Sequence, residues 1–83
     1  MLITIHLFAR LREIAGASVF QRNVPEGATA RAVWDQLAME FPAFTDYAKV
    51  VSCAVNEEYA RLTATVKDGD EVAFLPPVSG GSD

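Results

Sequence analysis

A chain of 83 residues is too short for two ordinary domains and points to one core with short connections. Hydrophobic residues at 51% and charged ones at 22% exclude wholesale disorder, and a net charge of −4 disfavours a phosphate backbone as partner. The single cysteine, Cys53, has no partner for an internal disulfide or a thiolate metal site, and no apolar run approaches a membrane span. The N-terminus lacks the charged-then-apolar layout of a secretory leader, so the expectation is a small, acidic, soluble protein of the cytoplasm, without nucleic-acid or membrane partners. A domain of this size buries only about 60% of its unfolded surface, which leaves little from which to wall a deep catalytic cavity. A carrier or binding module is therefore favoured over an enzyme.

Leu2 to Phe8 reads as a strand, with Ile3, Ile5 and Leu7 on the core face and Leu2, Thr4, His6 and Phe8 on the other. Ala9 to Ala15 predicts a short helical turn ended by Gly16, a residue that accepts the left-handed conformation after a helix. Ser18 to Val24 reads as a second strand closed by Pro25-Glu26-Gly27, and its nearness to the first suggests an antiparallel pair. Thr29 is placed to cap a helix, although Ala32 leaves the capping box incomplete. Behind it Ala30, Val33, Trp34, Leu37 and Phe41 recur as one apolar stripe, and Pro42 ends the helix at Phe41. Ala43 to Lys49 reads as an irregular connection anchored by Phe44 and Tyr47. Val51, Cys53 and Val55 alternate as a third strand, Asn56-Glu57-Glu58 reads as a turn, and Tyr59 to Leu62 as a short return strand. After the turn Lys67-Asp68-Gly69-Asp70 comes a last strand, Glu71 to Leu75, with Val72 and Phe74 facing one way and Ala73 and Leu75 the other.

This order predicts an α+β fold, a mixed sheet packed on one main helix. With the first strand central in the sheet, the last can lie parallel alongside it across the helix-containing crossover. That topology is a β-grasp, the ubiquitin-like architecture. The expected division is a domain over residues 1–75 and an extended C-terminal tail over 76–83.

In the tail Pro76 and Pro77 cannot donate ladder hydrogen bonds, so the sheet stops at Leu75, and they favour an extended exit. Gly80 and Gly81 have no Cβ, which leaves that part thin. The six residues from Pro76 to Gly81 span roughly 20 Å at about 3.3 Å each, enough to enter a tunnel in another protein. Gly, Ser and Asp near a terminus are also what ordinary frayed chain looks like, and a lone Gly-Gly is weak. The longer run Phe74-Leu-Pro-Pro-Val-Ser-Gly-Gly81, directly after Asp68-Gly-Asp-Glu-Val, is far more specific.

Together with Leu7-Phe-Ala-Arg-Leu-Arg-Glu13 and Ala54-Val-Asn56, these stretches resemble the small, sulfur-carrier subunits of molybdopterin synthase, a MoaD/ThiS-like β-grasp family. The resemblance implies a carrier role in molybdenum cofactor biosynthesis. The carboxylate of Gly81 would be adenylated with ATP by an activating enzyme resembling ubiquitin E1, then converted to a thiocarboxylate with sulfur from a sulfurtransferase or cysteine desulfurase. The large synthase subunit would use that sulfur to build the dithiolene of molybdopterin from a cyclic pyranopterin monophosphate. An acyl adenylate has the good leaving group that a carboxylate lacks, and the thiocarboxylate sulfur is a soft nucleophile. In this scheme Gly81 carries the sulfur and Gly80, Ser79, Val78, Pro77 and Pro76 deliver it. No side chain is catalytic, no metal or cofactor is permanently bound, and ATP belongs to the activating enzyme. The resemblance further implies a heterotetramer of two small and two large subunits, a transferase complex in which this chain is the non-catalytic donor.

One departure bears on the chemistry. Members of the family commonly end at the second glycine, whereas Ser82 and Asp83 follow here. While they remain, the Gly81 carbonyl is an amide and cannot be adenylated. Trimming by a protease is the expectation, with origin in a fusion, or a relative without the sulfur role, as the alternatives.

Phe8 is either covered by the segment from Ala9 to Gly16 or exposed for docking, and the resemblance favours docking on the large subunit. Leu75 is either sheet packing or part of an apolar patch beside the tail, at a family position that is usually aromatic. Arg12 is either solvated or paired with an acidic partner group, as the resemblance suggests. Cys53 on the inward face reads as a small buried hydrophobe rather than a persulfide carrier. His6 stands alone as a metal ligand, Glu57 and Glu58 read as a solvated pair, and Trp34 as core. Two other readings stay open: a carrier for thiazole synthesis, and a β-grasp interaction module whose Gly-Gly is only a linker.

Overall fold

The computed structural model describes residues 1–77. Its elements in chain order are β1 (Leu2–Leu7), α1 (Ala9–Ala15), β2 (Val19–Asn23), α2 (Ala30–Glu40), a 3₁₀ helix (Pro42–Tyr47), β3 (Ser52–Val55), β4 (Glu58–Ala60) and β5 (Glu71–Leu75). The five strands form one sheet in the order β2-β1-β5-β3-β4. β1 pairs antiparallel with β2 and parallel with β5, while β3 runs antiparallel to both β4 and β5. This is the expected β-grasp, except that β5 rather than β1 holds the centre: β3 and β4 add beyond β5, which leaves β1 between it and β2.

Alternation along the strands sends Ile3, Ile5 and Leu7 of β1, Cys53 of β3 and Val72 and Phe74 of β5 to one face, where all are buried. Helix α2 brings Ala30, Val33, Trp34 and Leu37, also buried, to the same core. The Trp34 indole stacks on Phe44 with centroids 5.0 Å apart and lies 5.2 Å from the Phe74 ring, so α2, the 3₁₀ helix and β5 meet at one aromatic cluster.

The first turn of α2 is tied down by hydrogen bonds from outside the helix. Thr29 Oγ1 accepts from Ala32 N–H at 3.1 Å, as its capping position predicts. Ala30 and Arg31 donate to the carbonyls of Ala64 and Leu62, so with Ala32 three first-turn donors that lack an intrahelical acceptor have partners, and Val33 N–H opens the helical ladder on the Thr29 carbonyl. Those bonds also explain why β4 stops at Ala60 instead of running to Leu62: the next segment turns away to serve the helix. β4 starts at Glu58 because the turn before it needs only Asn56 and Glu57.

Two further boundaries differ from expectation. Pro42 cannot extend α2 but fits a first helical turn, so the connection expected to be irregular is a 3₁₀ helix that buries Phe44. β1 ends at Leu7 because Phe8 becomes the N-cap of α1, and Ala9 follows at φ +52°. α1 closes on Gly16 at φ +77°, whose N–H donates to the Arg12 carbonyl.

Candidate functional site

The sheet face away from α2 is built from the alternate strand positions. Cross-strand register places His6 beside Ala73, Ala73 beside Ala54 and Ala54 beside Tyr59, one row across β1, β5, β3 and β4. The two central alanines are short and the residues at the ends of the row are long, so the row is a trough. Two residues along β5, Leu75 lines the same concavity as Phe8, which follows the end of β1 and is 45% exposed. Two residues the other way along β5 stands Glu71, beside the Asn56-Glu57 turn. His6, Phe8, Ala54, Glu57, Tyr59, Glu71, Ala73 and Leu75 together line a shallow concavity of about 280 Å³. Small-ligand pockets start at roughly 300 Å³ and enclose their guests, so this hollow suits a partner's side chain better than a free substrate.

Its two ends differ in chemistry. Phe8 and Leu75 make an apolar end where the chain leaves the sheet towards Pro76 and Pro77. Glu57 and Glu71 make an acidic end, and no lysine or arginine lines the concavity. His6 Nε2 lies 2.9 Å from Glu71 Oε1, so one carboxylate has a neighbour within the face. Glu57 forms no ion pair among the described residues.

The backbone at this end is held by a side chain acting as a strand. Asn56 N–H donates to the Glu71 carbonyl, and Asn56 Oδ1 accepts from Glu71 N–H at 2.9 Å. Asn56 Nδ2 donates to Asp70 Oδ1 at 3.0 Å, and Lys67 N–H donates to Asp70 Oδ2 at 2.8 Å. The Asn56 amide and the Lys67 N–H together hold the Asp70 carboxyl below its ordinary range. Asn56 and Glu57 both sit at positive φ, +52° and +72°, the backbone of a two-residue hairpin turn.

Of the residues that the sequence singles out, Phe8 and Leu75 are brought together. Arg12 lies exposed on α1 and does not line the concavity. Pro76 and Pro77 follow directly from β5. Val78, Ser79, Gly80, Gly81, Ser82 and Asp83 lie outside the described residues. Cys53 points into the core, its thiol donating to the Ala60 carbonyl at 3.2 Å, and burial pushes its pKa up, which disfavours the thiolate; it lies on the sheet face away from the concavity. Among the described residues no three His, Cys, Asp or Glu side chains converge on a metal position, and no helix is long and apolar enough to cross a membrane.

Sequence reasoning missed Tyr59, Ala54, Ala73, Glu57 and Glu71 as parts of a surface, and weighed His6 only as a metal ligand. The signal was the outward set of each strand, which becomes a surface only when the register between strands is known.

The model of the ThiS family matches residues 5–81. A molybdopterin synthase sulfur carrier subunit from Arabidopsis thaliana is 39% identical over 79 residues, covering 95% of this chain and 82% of that protein. One from Chlamydomonas reinhardtii is 37% identical over 83 residues, covering 98% and 100%. Among solved structures, that of SAMP1 from Haloferax volcanii superposes with a TM-score of 0.82 at 32% identity, covering 98% of this chain and 100% of that one.

Proposed function

The chain belongs to the ThiS family, and from that premise we propose that it is the sulfur carrier of molybdopterin synthesis, with Gly81 as the carrying residue. Its carboxylate is adenylated by an E1-like enzyme using ATP with release of pyrophosphate. A persulfide from a sulfurtransferase or cysteine desulfurase displaces AMP, a second thiol reduces the resulting acyl disulfide to the thiocarboxylate, and that sulfur is handed to the pterin precursor in the large synthase subunit. The arm from Pro76 to Gly81 delivers it. The sheet face around Phe8 and Leu75 docks the partner, and Arg12 contributes from the neighbouring helix. The chain supplies a positioned arm and no acid, base or metal. Gly81 must have a free carboxylate, which requires removal of Ser82-Asp83 by a protease or release of the carrier from a fusion.

The observation that carries this reading is the meeting of Phe8 and Leu75 at the apolar end of the concavity, where the strand that leads into the glycine-ended arm leaves the sheet. Docking on this face sets the origin of the arm at the partner's surface, and an arm of about 20 Å then reaches a buried centre. The names of the curated relatives support the same pathway.

The test uses a form ending at Gly81, incubated with ATP and the activating enzyme and followed by intact mass. An adenylate, then replacement of one oxygen by sulfur when the sulfur donor is added, is the expected result. An inert terminus makes the protein an interaction module instead. Adding the large synthase subunit and its pterin precursor separates this pathway from thiazole synthesis, since only the former consumes the thiocarboxylate there.

A further inference from the structure

The trough is graded: apolar at Phe8 and Leu75, floored by Ala54 and Ala73, walled by Tyr59, and acidic at Glu57 and Glu71. A lysine or arginine side chain has the same grading, an aliphatic stem that packs on apolar surface and a cationic head that seeks carboxylates. The charge at the acidic end is only partly matched: His6 reaches Glu71 at 2.9 Å, and Glu57 has no such neighbour among the described residues. The carrier's arginines Arg10, Arg22 and Arg31 are engaged by Glu13, Glu40 and Asp35, and none of the seven basic residues reaches the trough. Tyr59, 80% exposed, offers a ring face to a cation as well.

Resting on the carrier reading above, we infer that the large synthase subunit seats one lysine or arginine side chain in this trough, its stem across Ala54 and Ala73 and its head between Glu57 and Glu71. Glu57 is then a specificity-determining residue of the docking face. The trough is continuous with the exit of the arm, so a protein that receives residues beyond Leu75 also covers the surface beside Leu75. Of the two proteins that receive the arm, the large subunit is the occupant because the curated relatives are named as a subunit of that synthase, a standing assembly.

The experiment measures affinity of the carrier for the large synthase subunit by calorimetry at low and at high salt, for wild type, Glu57→Lys, Glu57→Gln, Glu26→Lys and Phe8→Ala. Glu26 sits in the exposed turn after β2 and makes the same charge change away from the trough. Lysine and glutamine bear the left-handed backbone at position 57 about as well as glutamate, so fold is retained, and a thermal melt checks it. The expected result is a loss of about tenfold or more for Glu57→Lys at low salt, a smaller loss for Glu57→Gln, and a change under about twofold for Glu26→Lys, with the differences shrinking at high salt. Equal effects of Glu57→Lys and Glu26→Lys overturn the inference, because only net charge is then felt. Wild-type affinity in both Glu57 variants while Phe8→Ala still weakens binding overturns it too, yet leaves the docking face standing. Wild-type affinity in all four variants overturns the inference and the docking face together.

Discussion

At Glu57 the side chain and the backbone want different things. A two-residue hairpin turn with both φ values positive favours Asn-Gly, and here the second place holds glutamate at φ +72°. The left-handed conformation costs a residue with a Cβ about 1–2 kcal/mol, while glycine gives back roughly 0.5–1 kcal/mol through the larger entropy it loses on folding. Glu57→Gly is therefore expected to raise unfolding free energy by about 0.5–1 kcal/mol in urea, with an unchanged slope. A loss of stability would mean that the Glu57 side chain makes contacts worth more than its strain. Ala9 bears the same kind of strain at φ +52°, directly after Phe8, so each non-glycine residue at positive φ among those described either lines the trough, as Glu57 does, or adjoins a lining residue in sequence. Strain of this kind gathers where a surface must present particular side chains. The sequence showed Asn56 and Glu57 as turn residues, but nothing in a turn signal says which of its side chains faces a hollow.

Helix α2 was the easiest element to read, since an apolar stripe, a capping threonine and a stopping proline agree on its ends, and it forms from Ala30 to Glu40. The hairpin of β3 and β4 was the hardest: its strands are four and three residues long, and their ends are set by bonds to distant segments. Asn56 ties that hairpin to the turn before β5 through Asp70, and this join is sensitive to acid. The folded-state pKa of Asp70 lies below its unfolded value, so its stabilising contribution is complete above the unfolded value and is lost as pH falls through the folded one. Glu40 behaves alike, because Arg22 grips both its oxygens at 2.8 and 3.0 Å and holds its carboxyl low. In an NMR titration Asp70 is expected to have its midpoint below the ordinary 3.8. Asn56→Ala should raise that midpoint and move acid unfolding to higher pH. An Asp70 midpoint indifferent to Asn56→Ala would show that the Lys67 N–H alone sets it.

For the molecule as a whole, the two faces of the sheet divide the work. The inner face carries the core: among the described residues the buried side chains run from Ile3 to Phe74, before the end of β5. The outer face and the arm carry the proposed function. Composition and alternation made the inner face legible, because burying apolar residues at strand and helix periods is a local pattern; the outer trough needed four strands in register and was not. This division predicts that docking, chemistry and stability separate by mutation. In a form ending at position 81, Gly81→Val should leave the urea midpoint unchanged, since the fifteen buried apolar residues from Ile3 to Phe74 are untouched by it, and leave affinity for the large subunit within about twofold. Adenylation or sulfur transfer should fall to background, because a branched side chain obstructs a passage sized for glycine and crowds the acyl carbon. Phe8→Ala should do the reverse: the urea midpoint is retained because Phe8 is half exposed, adenylation by a saturating activating enzyme persists, and affinity for the large subunit drops. Stability loss in Gly81→Val would tie the arm to the fold, and full activity in that variant would remove Gly81 from the chemistry.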